Sequence, residues 1–328
     1  MTFSEVSELW FKDKSRQLLS YAYLRSVSCS LKHANNFLGN LDITRIKPYQ
    51  VDDVILTLAK YNPNTKQAMS KSSLKDILYV TRDVFEYAID NDLAEKNPAR
   101  NRKVPKNAVR ARRRALSNRE QELIISTTDT RCYPASMVMM WCGLRTGEIL
   151  GLDWKHIDVS NKIIYVQKKA QQVSNNEYEV VPGTKNGNTR KVPIPKKLLP
   201  ILCKQKECST GELFCSQYNG SLHTPTSWKK AWKSYLLDLN LAAYGEKRNK
   251  FDPKGVPIVL DKITPHMLRH TYCTLLYKSG IHPLIASKLM GHSNVQITLD
   301  IYTHLDEEYG NQNIDYLNNY LDENFRHI

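Results

Sequence analysis

The run 101–114 (NRKVPKNAVRARRR) constrains the fold more than any other part of the chain. It holds seven Lys or Arg and no acid, and a run of like charge cannot be buried in a core. It also separates two different patterns. Before it, apolar residues recur at helical spacing; after it, short β-rich runs are interleaved with helices. At 328 residues the chain is too long for one compact core and fits two domains. The sequence therefore predicts a helical domain over 1–100, a basic linker over 101–114 and a mixed domain over 115–328. The fold class is mainly α with a small antiparallel β-sheet (α+β).

Charge is close to balanced elsewhere. The chain carries 47 Lys/Arg against 33 Asp/Glu, a net of +14, and residues 1–100 contribute 14 basic against 12 acidic side chains. Half the excess thus lies in the run itself. A solvated linker is the bland reading; a strap lying along a polyanion is the sharper one. Fully extended, the run reaches ~45 Å at ~3.3 Å per residue.

Other classes are disfavoured. No apolar run approaches the roughly 18 residues of a membrane span, and the N-terminus (MTFSEVSELWFKDKSRQ) has no signal-peptide core. A cytoplasmic location without membrane contact is expected. Seven cysteines, an odd number, suit reduced thiols. Cys203, Cys208, Cys215 and His223 raise a zinc question, but their spacing lacks paired C-x2-C knuckles. No metal and no cofactor are expected.

In the first hundred residues Leu24, Val27, Leu31, Phe37 and Leu38 recur at helical spacing, as do Val51, Val54, Ile55 and Leu58 after Pro48. Leu74, Ile77, Val80, Val84, Phe85, Ala88 and Ile89 form a longer stripe, with Ser73 and Asp76 resembling a capping box. A helical bundle is the natural unit. Beyond the run, helices are expected over 117–128, 134–142, 195–206, 225–239, 265–279, 283–290 and 294–304. One small sheet is expected from 162–168, 178–181 and 190–194.

Four segments of the second half carry reactive side chains. GLRTGEILGL sets Arg145 between glycines, with Glu148 one turn on. TKNG puts Lys185 on a tight turn between β-runs. TPHMLRHT places Pro265 at a helix start and His266 and Arg269, three apart, on one face. LMGHSN holds His292, and Tyr302 follows ten residues later in DIYTH. Each has an ordinary reading alone: a helix cap, a turn lysine, structural histidines, one tyrosine among 18.

Together the order Arg, Lys, His-x-x-Arg, Gly-His, Tyr resembles the tyrosine recombinase (phage integrase) family. GLRTGEILGL, TPHMLRHTYCTLL and LMGHSNVQITLDIYTHL are similar to its diagnostic stretches, and the resemblance covers nearly the whole chain. It implies a two-domain C-shaped clamp on double-stranded DNA, with a helical core-binding domain, a basic linker and a catalytic domain. The implied catalytic residues are Arg145, Lys185, His266, Arg269, His292 and Tyr302, with Glu148 supporting. Lys191 is a nearby rival to Lys185. Arg102, Lys103, Lys106, Arg110, Arg112, Arg113 and Arg114 are the candidate DNA contacts of the run.

The chemistry agrees with that assignment. A tyrosine phenolate attacking a phosphodiester preserves its energy in a phosphotyrosine and leaves a 5′-hydroxyl able to reverse the step. The pentacoordinate phosphorane carries extra negative charge, which two planar guanidiniums are suited to bind. A lysine near the leaving oxygen would supply its proton.

The resemblance also implies a homotetramer on two DNA sites, with possible accessory DNA-bending proteins. The stripe Ile314, Leu317, Leu321 and Phe325 is expected to dock in trans on a neighbouring protomer. The helical pattern begins almost at Met1, so an extra arm-binding domain is not expected within the chain. Two rivals stay open: a type IB topoisomerase-like relaxation enzyme, and a non-catalytic regulator, since residues 283–300 resemble a helix-turn-helix. A metal-dependent transposase is disfavoured for want of a carboxylate cluster in the catalytic half.

Overall fold

The computed structural model describes residues 1–63, 65–109, 114–183, 189–245 and 257–309. The chain divides into two compact units, Met1–Arg112 and Arg113–Ile328.

The first unit is a bundle of α1 (Phe3–Ser15), α2 (Tyr21–Leu38), α3 (Pro48–Lys60) and α4 (Lys71–Asp90). α4 touches the other three and buries Leu74, Ile77, Val80, Val84, Phe85 and Ala88, the stripe that its spacing predicts. Each of these side chains larger than alanine contributes about 1.5–3 kcal/mol of burial. Two details differ from the sequence reading. The α4 cap is Ser70, whose hydroxyl accepts from the Ser73 amide at 3.2 Å, so the helix starts before Ser73. In α2 the buried face is Val27, Leu31, Ala34 and Leu38. Those positions step by four and three residues, which turns Phe37 away from the bundle, and it is exposed.

The basic run is anchored to this unit over residues 101–109. Ala108 is buried in the bundle core, and the Val109 carbonyl accepts from the Lys71 amide at 2.7 Å. Arg102 Nη1 pairs with Asp52 at 3.0 Å, while Lys103 and Lys106 are exposed. Arg110, Arg112 and Arg113 lie outside the described residues.

The second unit is built around α6 (Tyr133–Cys142), nine of whose ten residues are buried. A helix apolar on all sides belongs in the middle of a core. α5 (Asn118–Ser126) and α7 (Thr146–Leu150) flank it in the chain. The expected single sheet is instead two. β1 (Ile157–Asp158), β2 (Ile163–Val166) and β5 (Arg190–Pro193) form an antiparallel sheet in the order β1-β2-β5, and β3 (Lys168–Ser174) with β4 (Glu177–Pro182) forms a separate hairpin. β3 is a polar sequence with weak strand preference; its pairing with β4 and packing against α7 hold it extended. The helices α8 (Leu199–Glu207), α9 (Pro225–Tyr244), α10 (Pro265–Lys278), α11 (Pro283–Met290) and α12 (Gln296–Tyr309) follow. Prolines at the first positions of α9, α10 and α11 set their starts. No described helix is long and apolar enough to cross a membrane.

Candidate active site

The site forms where the end of α6, the start of α7, strand β5 and the end of α11 meet. α6 stops at Gly143, which is left-handed with φ 67°. The chain then turns through Leu144 to Arg145, the residue that caps α7. Three positions on, the Glu148 carboxylate accepts from the Arg145 amide at 2.8 Å and from Arg145 Nη1 at 2.9 Å. The pattern Arg-x-x-Glu is thus a local capping arrangement that also fixes the guanidinium.

Glu148 is 2% exposed, which no isolated carboxylate would tolerate. Its second partner is Arg190 on β5, which donates from Nη1 at 2.9 Å and from Nη2 at 2.7 Å, fork to fork. Burial opposes ionisation, but the Arg190 guanidinium outweighs it and holds the Glu148 carboxyl low, at about 2. Sequence reasoning missed Arg190. The signal was strand alternation: Val192, two residues on, is buried, so Arg190 shares its inward face, while Lys191 points outward over the Tyr165 ring.

The last carbonyls of a helix have no partner within it. At the end of α11 three successive ones are each taken by an arginine. Arg190 Nε donates to Leu289 at 2.9 Å, Arg269 Nη2 to Met290, and Arg145 Nη2 to Gly291 at 2.7 Å. Cations here also complement the helix dipole. Arg269 further donates from Nη1 to the Gly143 carbonyl, tying α10 to the end of α6. Burial, with the Arg145 charge beside it, lowers the Arg269 guanidinium to about 9. The three arginines differ in access: Arg269 is 3% exposed and the Arg190 side chain 8%, but the Arg145 side chain keeps 30%.

His292 follows Gly291 directly. Its Nδ1 lies 2.8 Å from the Thr298 hydroxyl, which fixes the ring, and burial and then the neighbouring arginines lower it to about 4. It is therefore neutral at pH 7. Thr298, fully buried, is a second contributor the motif did not reveal. His266 is exposed at the start of α10, one turn before Arg269.

Tyr302 on α12 is 6% exposed, in a small core with Tyr272, Cys273, Leu276, Ala286 and Met290. Its hydroxyl donates to the Ile281 carbonyl at 3.1 Å, and its ring meets Tyr277 edge-on at 5.1 Å. Burial pushes the phenol well above its ordinary value. The site thus joins Arg145 and Glu148 directly and gathers Arg269 and His292 around the end of α11, with the Tyr302 core abutting through Met290. Lys185 lies outside the described residues, as does the 314–325 stripe. Arg114 forks onto Glu120 at 2.6 and 2.7 Å. Among the described residues no three His, Cys, Asp or Glu side chains gather to hold a metal ion; His223 instead bonds Ser227 at 3.0 Å.

Known proteins are similar to this chain in sequence or in fold. A tyrosine recombinase XerC-like protein of Caldanaerobacter subterraneus subsp. tengcongensis is 28% identical over 300 residues, covering 83% of this chain and 72% of the relative. The Tn1549 transposon integrase, solved in complex with a circular intermediate DNA, matches with a TM-score of 0.71 at 19% identity, over 92% of this chain and 95% of that one. A lambda integrase tetramer bound to a Holliday junction matches at 0.66 and 18% identity, over 90% and 78%. The profile of the phage integrase family matches residues 114–309, more than half of the chain. The chain therefore belongs to the phage integrase family, the tyrosine-type strand transferases of site-specific DNA recombination.

Proposed function

We propose that the chain cuts and rejoins duplex DNA at a specific site through a 3′-phosphotyrosine on Tyr302, to move a mobile element into and out of DNA. The observation that carries this reading is the arginine cluster around Glu148. Two guanidiniums, Arg145 and Arg190, share that carboxylate and a third, Arg269, lies beside them, so the cluster keeps net positive charge, and Arg145 presents it to solvent. A scissile phosphate is the anion that such a planar donor fits.

In the reaction Tyr302 Oη attacks the phosphorus, the bond to the 5′-oxygen breaks, and Lys185 gives that oxygen its proton. Arg145 and Arg269 balance the charge of the phosphorane, and His292 donates to a non-bridging oxygen from its second ring nitrogen. His266, beside the phosphate, takes the Tyr302 proton as Oη attacks and returns it as the tyrosine leaves. A 5′-hydroxyl then attacks the phosphotyrosine, re-forms the phosphodiester and frees Tyr302. Both units bind the duplex, and four protomers act on two sites, with the tail beyond residue 310 docking in trans and DNA-bending proteins as possible accessories. The reading places the enzyme with DNA in a bacterial cytoplasm.

The test is a nicked attachment site that traps the covalent complex. Wild type should give a protein–DNA band insensitive to chelator, and Tyr302→Phe should bind DNA without one. A band that persists in the variant moves the nucleophile elsewhere. Strand exchange between two labelled sites supports recombination; relaxation of a supercoil without exchange favours the topoisomerase-like alternative.

A further inference from the structure

Arg190 belongs to none of the motifs that define the site, yet it joins Glu148 on α7 to the last carbonyls of α11. Strand alternation points it inward beside Val192, and pairing of β5 with β2 fixes its height opposite Val166. A buried guanidinium is costly unless its donors are satisfied. Here Nη1 and Nη2 fork onto Glu148 and Nε reaches the Leu289 carbonyl.

We propose that Arg190 is a positioning residue for strand transfer, holding Glu148 and the end of α11 so that Arg145 and His292 face the scissile phosphate. The inference rests on the recombinase reading above. Two physical consequences follow from the contacts. First, Arg190 occupies both oxygens of Glu148. Without it the carboxylate would pair with Arg145 alone and cancel the charge an incoming phosphate needs; with it, Arg145 stays net cationic. Second, the fork and the Leu289 bond tie β5 and α7 to the α11 terminus, immediately before His292. Gly291 confirms how closely they meet. A Cβ there would lie 2.9 Å from Arg190 Nη1, and the residue is left-handed at φ 63°. Because its side chain is only 8% exposed, Arg190 acts through Arg145 and Glu148 and does not itself touch DNA.

The competing view is that Arg190 only stabilises the fold. A scissile position carrying a methylphosphonate, in which one charged oxygen is replaced by methyl, separates the two. That substrate demands less cationic balance, whereas a distorted site would handle both substrates badly. Full-length Arg190→Lys and Arg190→Met would be compared with wild type in single-turnover formation of the covalent complex on nicked DNA, alongside thermal melting and DNA affinity. The expected result is a loss of about 100-fold on the phosphate, of the order seen for removing one oriented donor. On the methylphosphonate the variants should come within about 3-fold of wild type, with DNA affinity little changed. Arg190→Lys, which keeps charge but not the fork, should fall between.

Cleavage at the wild-type rate overturns the proposal, and so does an equal loss on both substrates. If Arg190→Met fails to fold, Arg190→Lys still decides through the same substrate comparison. Absence of any covalent complex from wild type would strike the recombinase reading instead.

Discussion

The Tyr302 hydroxyl donates a 3.1 Å hydrogen bond to the carbonyl oxygen of Ile281, in the turn between α10 and α11. The proposed nucleophile is therefore sheathed: its proton is engaged, its ring is buried and its phenol is held neutral. Attack requires that bond to break, a net cost of about 0.5–1.5 kcal/mol. Tyr302→Phe should abolish the covalent complex while lowering unfolding free energy by only about 1 kcal/mol at pH 7.

The sign of the pH effect follows from burial. A phenol raised in the folded state stabilises fully below its ordinary value of 10 and loses that contribution as pH rises beyond it. Wild type should thus lose its advantage over Tyr302→Phe between about pH 10 and 11. Denaturant unfolding across pH 7 to 11 measures the difference. A constant gap would mean that Tyr302 is not buried as described.

Glu148 behaves oppositely. Its carboxyl is lowered from 4.5 to about 2, so its stabilisation is complete above pH 4.5 and drains away as pH falls toward 2. The shift corresponds to something on the order of 3 kcal/mol. Glu148→Gln leaves Arg190 buried without its counter-charge and should cost about 3–5 kcal/mol at pH 7. Urea midpoints of wild type and variant should converge between pH 4.5 and 2. Parallel curves across that range would sink this account.

Gly143 is a sharper structural test. It sits at φ 67°, and a Cβ would meet Tyr272 Cδ1 at 2.2 Å. Its carbonyl also receives Arg269. Gly143→Ala should destabilise by roughly 1–3 kcal/mol from the left-handed backbone and more from the clash. Double substitution with Tyr272→Leu should recover part of the stability. Failure to recover any of it would assign the whole cost to the backbone.

What the sequence reveals and what it hides have physical causes. Arg145 with Glu148, and His292 with Gly291, are local devices: a cap and a helix end, both readable from neighbours in the chain. The α4 stripe is readable for the same reason. Arg190 is not, because its partner Glu148 lies 42 residues away and the meeting depends on which strands pair. Taking 162–168, 178–181 and 190–194 as one sheet obscured that register. Backbone acceptors hide best of all. Nothing in the residue at 281 or 289–291 advertises that its carbonyl will hold Tyr302 or an arginine.

The basic run, finally, divides by partner rather than by charge. Arg102 is paired with Asp52, and Arg114 with Glu120 and, at 3.6 Å, Asp261. Lys103 and Lys106 are exposed. Cations committed to carboxylates have little left for phosphate, while each free one that meets the backbone contributes about 0.9 to the salt slope of DNA binding. Lys103→Gln with Lys106→Gln should therefore lower that slope by about 2 and leave melting unchanged. Arg114→Gln should do the reverse, lowering the melting temperature with the slope intact, since Glu120 loses its fork. Binding isotherms from 50 to 200 mM salt distinguish them. A slope that falls for Arg114→Gln as it does for the lysines would mean that the Glu120 pair opens when DNA arrives.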